Sequence, residues 1–422
     1  MIEVQQSTIE GLERPATVFL SYAHEDVEAI KELQLRLEVR GILCQRDADY
    51  LLSGSVFESE IEHAIEHDAD AIVLYITPDW LKSNFIRRVE VRAAWRRHKR
   101  DPYFHIVPIL QGVSIDELRQ HCLDRGMEDL TCFHAIPLHE DKAANNTIEI
   151  QQKKWNDAAK RILQAALTLH LRRINADRRY EPWICLKTFV GTSPTTRLDL
   201  SLDWLGLVYG KERLPTPQEW ENILLPALLD VKQIMSEKAP SRRLHVFVQC
   251  ILPVAIVLGF AFRKTTRITL LIEGQKEIWS TEIPPSERDP LHTEWIDTNQ
   301  GNQQEAVIEV EAAENRFIKQ SVTKALMASA LAPGYRIRLS LPDLSVESVR
   351  DAAHAQAIAQ QVGRVCQELC DQYGVTHIHL FVAAPVELAV LIGRQLNALC
   401  PITLYEYGLE RAYKPVGTLV SY

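Results

Sequence analysis

An α/β protein in two parts is what the sequence predicts: one flavodoxin-like parallel sheet first, then two fused Rossmann-like halves. Two observations carry this. The first third of the chain alternates short apolar runs with amphipathic helical patterns, and the last 240 or so residues contain an internal repeat.

In the first third, the apolar run Ala16 to Leu20 predicts a buried strand, and Ile30, Leu33, Leu37 and Val39 then recur at helical spacing until Gly41 ends the helix. A stretch with Ile61, Ala64 and Ile65 leads into a second apolar run, Ala71 to Ile76. The Val89 to Trp95 helix leads into a third, Ile106 to Leu110. Such alternation predicts a parallel sheet with helices on both faces. A helix from Trp155 to Leu171 closes this part. The resulting boundaries are an extension over 1–13, a domain over 14–171, a charged linker over 172–180 and a second domain over 181–422.

Sliding the chain by 134 positions aligns LHVFVQCILPVAIVLG with IHLFVAAPVELAVLIG and, without a gap, RITLLIEG with PITLYEYG. His245, Phe247, Val248, Ala255, Gly259, Ile268, Thr269, Leu270 and Gly274 meet identical residues in one register. Each copy reads as strand, short loop, helix, strand, so the two halves, about 181–281 and 305–422, are expected to pack about a pseudo-twofold axis. The polar stretch Glu282 to Gln304 reads as the linker between them.

Residues 244–262 are apolar for nearly the length of a membrane span. Pro253 and Gln249 interrupt the run, and the second copy carries Glu387 and Arg394 where the first has Pro253 and Phe260. A buried strand followed by a buried helix explains both copies. The N-terminal MIEVQQSTIEGLERP lacks a basic start before an apolar run, so no signal peptide and a cytoplasmic location are expected.

A net charge of -9 argues against coating duplex DNA or RNA, which needs a broad basic face. A pocket for an anionic ligand remains compatible, because only local charge matters there. The eight cysteines contain no CxxC pair and suggest neither zinc nor a disulfide framework. No GxGxxG occurs, which argues against a dehydrogenase that holds NAD in the usual way. His245 and His379, inside apolar strands, read as core histidines rather than ligands or bases.

The segments VFLSYAHED, RLEVRGILCQRDADYLLSGSVFESEIEHAI and DAIVLYITPDWLKSNFIRRVEVRAAW together resemble a TIR domain. The resemblance implies either a scaffold that only assembles or an enzyme that hydrolyses the nicotinamide glycosidic bond of NAD, and a glutamate in the helix after the third strand separates the two. Here the matching residue is Glu90, and the aromatic Phe85 that would flank nicotinamide is one residue further from it than in many relatives.

Cleavage builds an oxocarbenium-like ribose as neutral nicotinamide leaves, so one carboxylate near the ribose suffices, whereas ordinary glycosidases need a pair. The bland alternative is that Glu90 solvates a helix beside Arg87 and Arg92. The resemblance further implies NAD contacts from Tyr22 and Ala23 at the carboxyl edge of the sheet, whose alternative is loop packing. It also implies contacts from Arg46, Asp47, Leu52 and Gly54 in a loop that meets a neighbouring TIR domain. Trp80 either stacks on adenine or caps the core.

The duplicated region, ending in THIHLFVAAPVELAVLIGRQLN and ITLYEYGLERAYKPVGTL, resembles the SAVED domain, a fusion of two CARF-like halves. That resemblance implies binding of a cyclic oligonucleotide made by a partner nucleotidyltransferase in cyclic-oligonucleotide-based anti-phage signalling systems (CBASS), with cyclic tri-adenylate the first choice. Converging strand ends would form one concave pocket.

Its candidate wall residues are Lys187 and Thr188, Gln249 and Cys250, Ala383 and Ala384, and Tyr407. Lys187 would pair with a phosphate, the alanines would admit backbone amides to it, and Tyr407 would stack a base. Each also reads as structural filler. Together the two resemblances imply an NAD hydrolase switched on when ligand orders the chains into a filament, with NAD as substrate and neither a cofactor nor a metal required. The runner-up is a non-catalytic TIR scaffold. A nucleotide-processing C-terminal half is weakened by the lack of an acidic cluster with metal-ligand spacing.

Overall fold

The computed structural model of the protein describes residues 14–46, 57–138, 148–174, 180–191, 197–274, 277–286, 288–296, 301–313, 318–344 and 348–420. It divides into two compact units. The first takes Met1–Ile184 with two returns of the chain, Pro194–Asp203 and Gln233–Ser241; the second takes Cys185–Ser193, Trp204–Lys232 and Arg242–Tyr422.

In the first unit β1 (Thr17–Ser21), β2 (Leu43–Arg46), β3 (Ala71–Ile76), β4 (His105–Leu110) and β5 (Ile136–Pro137) form one parallel sheet in the order β2-β1-β3-β4-β5. This is the flavodoxin-like order that the sequence predicts. Both β1 and β3 are buried along their whole length, which is why they read as unbroken apolar runs. The helices are α1 (Val27–Glu38), α2 (Phe57–His63), α3 (Pro78–Lys82), α4 (Arg92–Arg100), α5 (Ile115–Asp124) and α6 (Ile148–Ile174).

In α1 the residues Ile30, Leu33 and Leu37, spaced three and four apart, are fully buried. Gly41 then turns the chain with φ near +90°, a conformation that costs a side-chain-bearing residue dearly. The last helix starts well before the expected Trp155, because its first turns are solvent-facing and give no apolar period: Glu149 and Ile150 are exposed.

After β6 (Trp183–Lys187) the return to the first unit carries β7 (Leu200–Asp203). It is anchored by a buried charge cage. His170 on α6 has Nδ1 3.3 Å from Asp70 Oδ2 and Nε2 3.0 Å from Asp199 Oδ1. Asp70 also accepts from the Thr17 N–H and from Arg173, and Asp199 accepts from the Tyr180 hydroxyl and the Trp183 N–H. Burial opposes charge on His170, but the hydrogen bonds and charges of the two carboxylates outweigh it and lift its pKa to about 9.

The second unit continues with α7 (Pro217–Glu219), the part of α8 (Leu225–Lys238) up to Lys232, β8 (Arg243–Gln249), α9 (Leu252–Ala261), β9 (Thr269–Glu273), β10 (Ile278–Ser280), β11 (His292–Ile296), β12 (Asn302–Glu311) and α10 (Ile318–Ala328). It ends with β13 (Pro333–Ser340), α11 (Ala352–Asp371), β14 (His377–Ala383), α12 (Val386–Gln395), β15 (Ile402–Tyr407) and β16 (Tyr413–Leu419). One sheet runs β10-β9-β8-β6; the other runs β11-β13-β12-β14-β15-β16.

The repeat is visible as β8-α9-β9 and β14-α12-β15, the strand, helix, strand order read from the sequence. In the first copy Leu244 lies beside Leu270, and in the second Ile378 lies beside Ile402, so the registers differ by two residues. A shift of two leaves every side chain on its own face. The membrane-like stretch is indeed β8 followed by α9, whose residues from Pro253 to Ala261 are buried. Among the described residues no helix is long and apolar enough to cross a membrane.

The polar stretch expected to be only a linker contains β11, which pairs antiparallel with β13. It is an edge strand with its first four residues exposed, so no apolar alternation marks it.

Candidate functional sites

In the first unit, candidate residues collect at the carboxyl edge of the sheet. Ser21 ends β1, and Tyr22 and Ala23 follow it, 6% and 5% exposed. Thr77, after β3, caps α3 by accepting from the Trp80 N–H (3.1 Å) while its own hydroxyl donates to Asp26 Oδ2 (2.6 Å). This ties the loop after β1 to the loop after β3. Trp80 is buried, and its indole N–H donates to Ser21 Oγ (3.2 Å), so the ring belongs to the core side of this edge. Ala23, Trp80, Phe85, Val89 and Val91 share one hydrophobic cluster.

Glu90, between Val89 and Val91 of that cluster, is 1% exposed. The segment Ile86–Val91 that carries it is a π-helical turn leading into α4. In an α-helix a spacing of five overshoots one turn by about 140°, but a π turn closes between residues five apart. The extra residue between Phe85 and Glu90 thus coincides with a π turn. Arg46 ends β2, and Asp47, Leu52 and Gly54 lie outside the described residues.

In the second unit, Thr188 follows β6 and fastens three segments. Its N–H donates to Gln249 O (2.9 Å), its hydroxyl accepts from the Ile251 N–H (3.0 Å), and its carbonyl accepts from the Gly210 N–H (2.6 Å). These bonds shape a cavity of about 580 Å³, lined by Cys250 and Ala384 among the expected residues and also by Phe189, Tyr209, Lys211 and Glu406. Lys187 ends β6, its carbonyl accepting from the Trp204 N–H (3.0 Å). Ala383 ends β14, and its carbonyl accepts from the Ala312 N–H. Tyr407 stands beside the cavity, with Lys211 Nζ 5.5 Å from its ring centre and Tyr413 edge-on at 5.3 Å.

Glu406 is 3% exposed. One carboxylate oxygen accepts from the Leu252 N–H at the start of α9 (3.2 Å), and the other lies 3.7 Å from Lys211 Nζ. Burial raises its pKa, against the lowering effects of Lys211 and of the backbone N–H bonds. The core-histidine reading holds for His379, which is buried and bonds the Tyr405 hydroxyl (3.0 Å), burial pushing its pKa down to about 4, whereas His245 is half-buried and pairs with Glu273 at 2.9 Å.

Sequence reasoning missed Lys211 and Glu406. Lys211 stands outside both repeats, where no pattern marks it. Glu406 did leave a trace, as a charge in the second copy where the first has Ile272.

Residues 18–148 match the TIR domain family, and residues 228–419 match the family described as SMODS-associated and fused to various effectors sensor domain, SAVED. The chain joins a TIR domain to a SAVED domain. Over 240 residues it is 22% identical to CD-NTase-associated protein 4 of Acinetobacter sp. (strain ATCC 27244 / 9458), covering 56% of this chain and 48% of that protein. The match thus spans about half the length of the curated relative.

Among solved structures, the Acinetobacter baumannii Cap4 SAVED/CARF-domain containing receptor with the cyclic trinucleotide 3'3'3'-cAAA is 14% identical. It covers 82% of this chain and 87% of that one, with a TM-score of 0.49. The Moraxella osloensis Cap4 SAVED/CARF-domain containing receptor is 17% identical, covering 87% and 86%, with a TM-score of 0.43. Glu90 therefore lies within the TIR match, and Cys250, Ala384 and Glu406 of the 580 Å³ cavity lie within the SAVED match, while Phe189, Tyr209 and Lys211 come from the segment before it.

Proposed function

We propose that the protein is an NAD hydrolase of a CBASS-type defence system, switched on by a cyclic oligonucleotide. The observation that carries the proposal is a carboxylate, Glu90, 1% exposed within the TIR domain, on a turn whose Val89 and Val91 belong to its hydrophobic cluster. In such a surround a carboxylate acts on a developing ribosyl cation with little screening by water. Glu90 would stabilise that cation or hold the ribose hydroxyls while nicotinamide departs without a general acid. Tyr22, Ala23 and Phe85 would bound the substrate, and Arg46, Asp47, Leu52 and Gly54 would complete the pocket against a neighbouring TIR domain.

The sensor would be the SAVED cavity, with a cyclic oligonucleotide from a partner nucleotidyltransferase as ligand and cyclic tri-adenylate tested first. Cys250 and Ala384 line it, and Lys187, Thr188, Gln249, Ala383 and Tyr407 would meet the ligand from beside it. Ligand would favour an assembled state, a filament when head-to-tail contacts do not close. We place the reaction in the cytoplasm, where NAD and the messenger meet. The test is NAD consumption by the purified chain with and without a panel of cyclic di-, tri- and tetranucleotides. NAD loss that depends on one ligand supports the reading. Ligand binding with no NAD loss at any concentration would leave the TIR domain as a scaffold.

A further inference from the structure

The cavity of the SAVED part presents an unusual charge arrangement for a pocket that takes a polyanion. Its buried acid, Glu406, would repel any phosphate placed against it. A carboxylate accepts several hydrogen bonds, and the face of Glu406 toward the cavity suits a neutral donor. Lys211, in contrast, has a side chain 47% exposed on a flexible stem, 3.7 Å from Glu406 and able to turn outward. Around the same cavity Phe189, Val190, Tyr209 and Leu409 keep large apolar surfaces exposed, by 38%, 73%, 42% and 69%. Exposed apolar and aromatic side chains beside a polar floor make a stacking platform for bases.

We propose that the Lys211–Glu406 pair divides on ligand binding, Lys211 turning to a backbone phosphate while Glu406 accepts from the exocyclic amine of a base, so that the cavity selects amine-bearing bases. This rests on the cyclic-oligonucleotide reading above. The α9 N–H of Leu252 fixes the carboxylate for this task, leaving its other oxygen toward Lys211 and the cavity. A base with a carbonyl at the same place would set oxygen against oxygen, and a site built to accept a donor rejects the analogue that lacks it.

The experiment compares binding of cyclic tri-adenylate and cyclic tri-inosinate, and of the matching dinucleotides, to the full chain by calorimetry. Wild type is expected to prefer the adenosine ligand by roughly tenfold or more. Glu406→Gln, whose amide both donates and accepts, should bring the preference close to one. Lys211→Met should weaken both ligands alike, flatten the salt dependence and keep the preference. Thermal unfolding checks that each variant is folded, and the wild-type comparison stands without them. Binding with equal affinity for the two bases overturns this inference alone. If none of these ligands binds wild type, the sensor reading fails with it.

Discussion

Gly259 and Gly393 occupy the same position of the two repeats, and each lies against the backbone carbonyl three residues before the other. A Cβ on Gly259 would fall 1.9 Å from Val390 O, and one on Gly393 would fall 1.9 Å from Ile256 O. The pairs Ile256–Val390 and Gly259–Gly393 are themselves separated by the repeat offset, so α9 and α12 cross about a local twofold axis with their backbones in contact. Only glycine admits that approach.

Gly259→Ala or Gly393→Ala should therefore lower stability by about 1–3 kcal/mol, although alanine in a helix interior ordinarily gains about 1 kcal/mol over glycine. Thermal or urea unfolding measures it. An alanine variant as stable as wild type would mean that the two helices do not touch there.

Glu90→Gln should cut NAD turnover by roughly two to four powers of ten while leaving cyclic-oligonucleotide affinity unchanged. The amide keeps the shape of the buried side chain and removes its charge. Near wild-type turnover in this variant, measured as nicotinamide release at saturating ligand, would remove Glu90 from the chemistry.

The His170 cage makes stability depend on pH in a defined window. Its folded-state pKa of about 9 is above the ordinary 6.5, so protonated His170 contributes stability fully below pH 6.5 and loses it as pH rises through 9. The shift corresponds to at most about 3 kcal/mol. The melting temperature should fall between pH 6.5 and 9, and His170→Asn should be less stable at pH 6 with a flatter profile. A histidine variant whose profile parallels wild type across that range would show that the cage does not hold a proton.

If TIR domains complete each other's pockets, specific activity at saturating ligand should fall on dilution, together with the high-mass species seen by light scattering. Leu52→Asp should keep ligand binding and lose activity. Constant specific activity down to concentrations at which only monomers remain would require a switch within one chain.

The fold was legible where burial makes a pattern. Fully buried β1 and β3 read directly as apolar runs, and the repeat register alone places α9 and α12. The sequence was silent where a segment faces solvent or departs from helical period. The edge strand β11 has no apolar alternation, and the π turn at Ile86–Val91 appears in sequence only as one residue too many between Phe85 and Glu90. Of the sensor wall, the strand-end rule found Cys250 and Ala384. Lys211 escaped because it comes from a loop that neither repeat contains, brought to the cavity by the bond from Gly210 to Thr188.

At one position of the repeat, buried in both copies, Ile272 faces Glu406 across the sequence offset. In a receptor made of two identical separate chains, any substitution arrives twice, and a buried acid would have to be tolerated at both ends of the pocket. Covalent fusion of the halves frees one copy to stay greasy while the other carries the acid. On the sensor reading proposed above, a ring-shaped messenger would then be gripped in a single orientation, and its entry and exit need not be mirror images of each other.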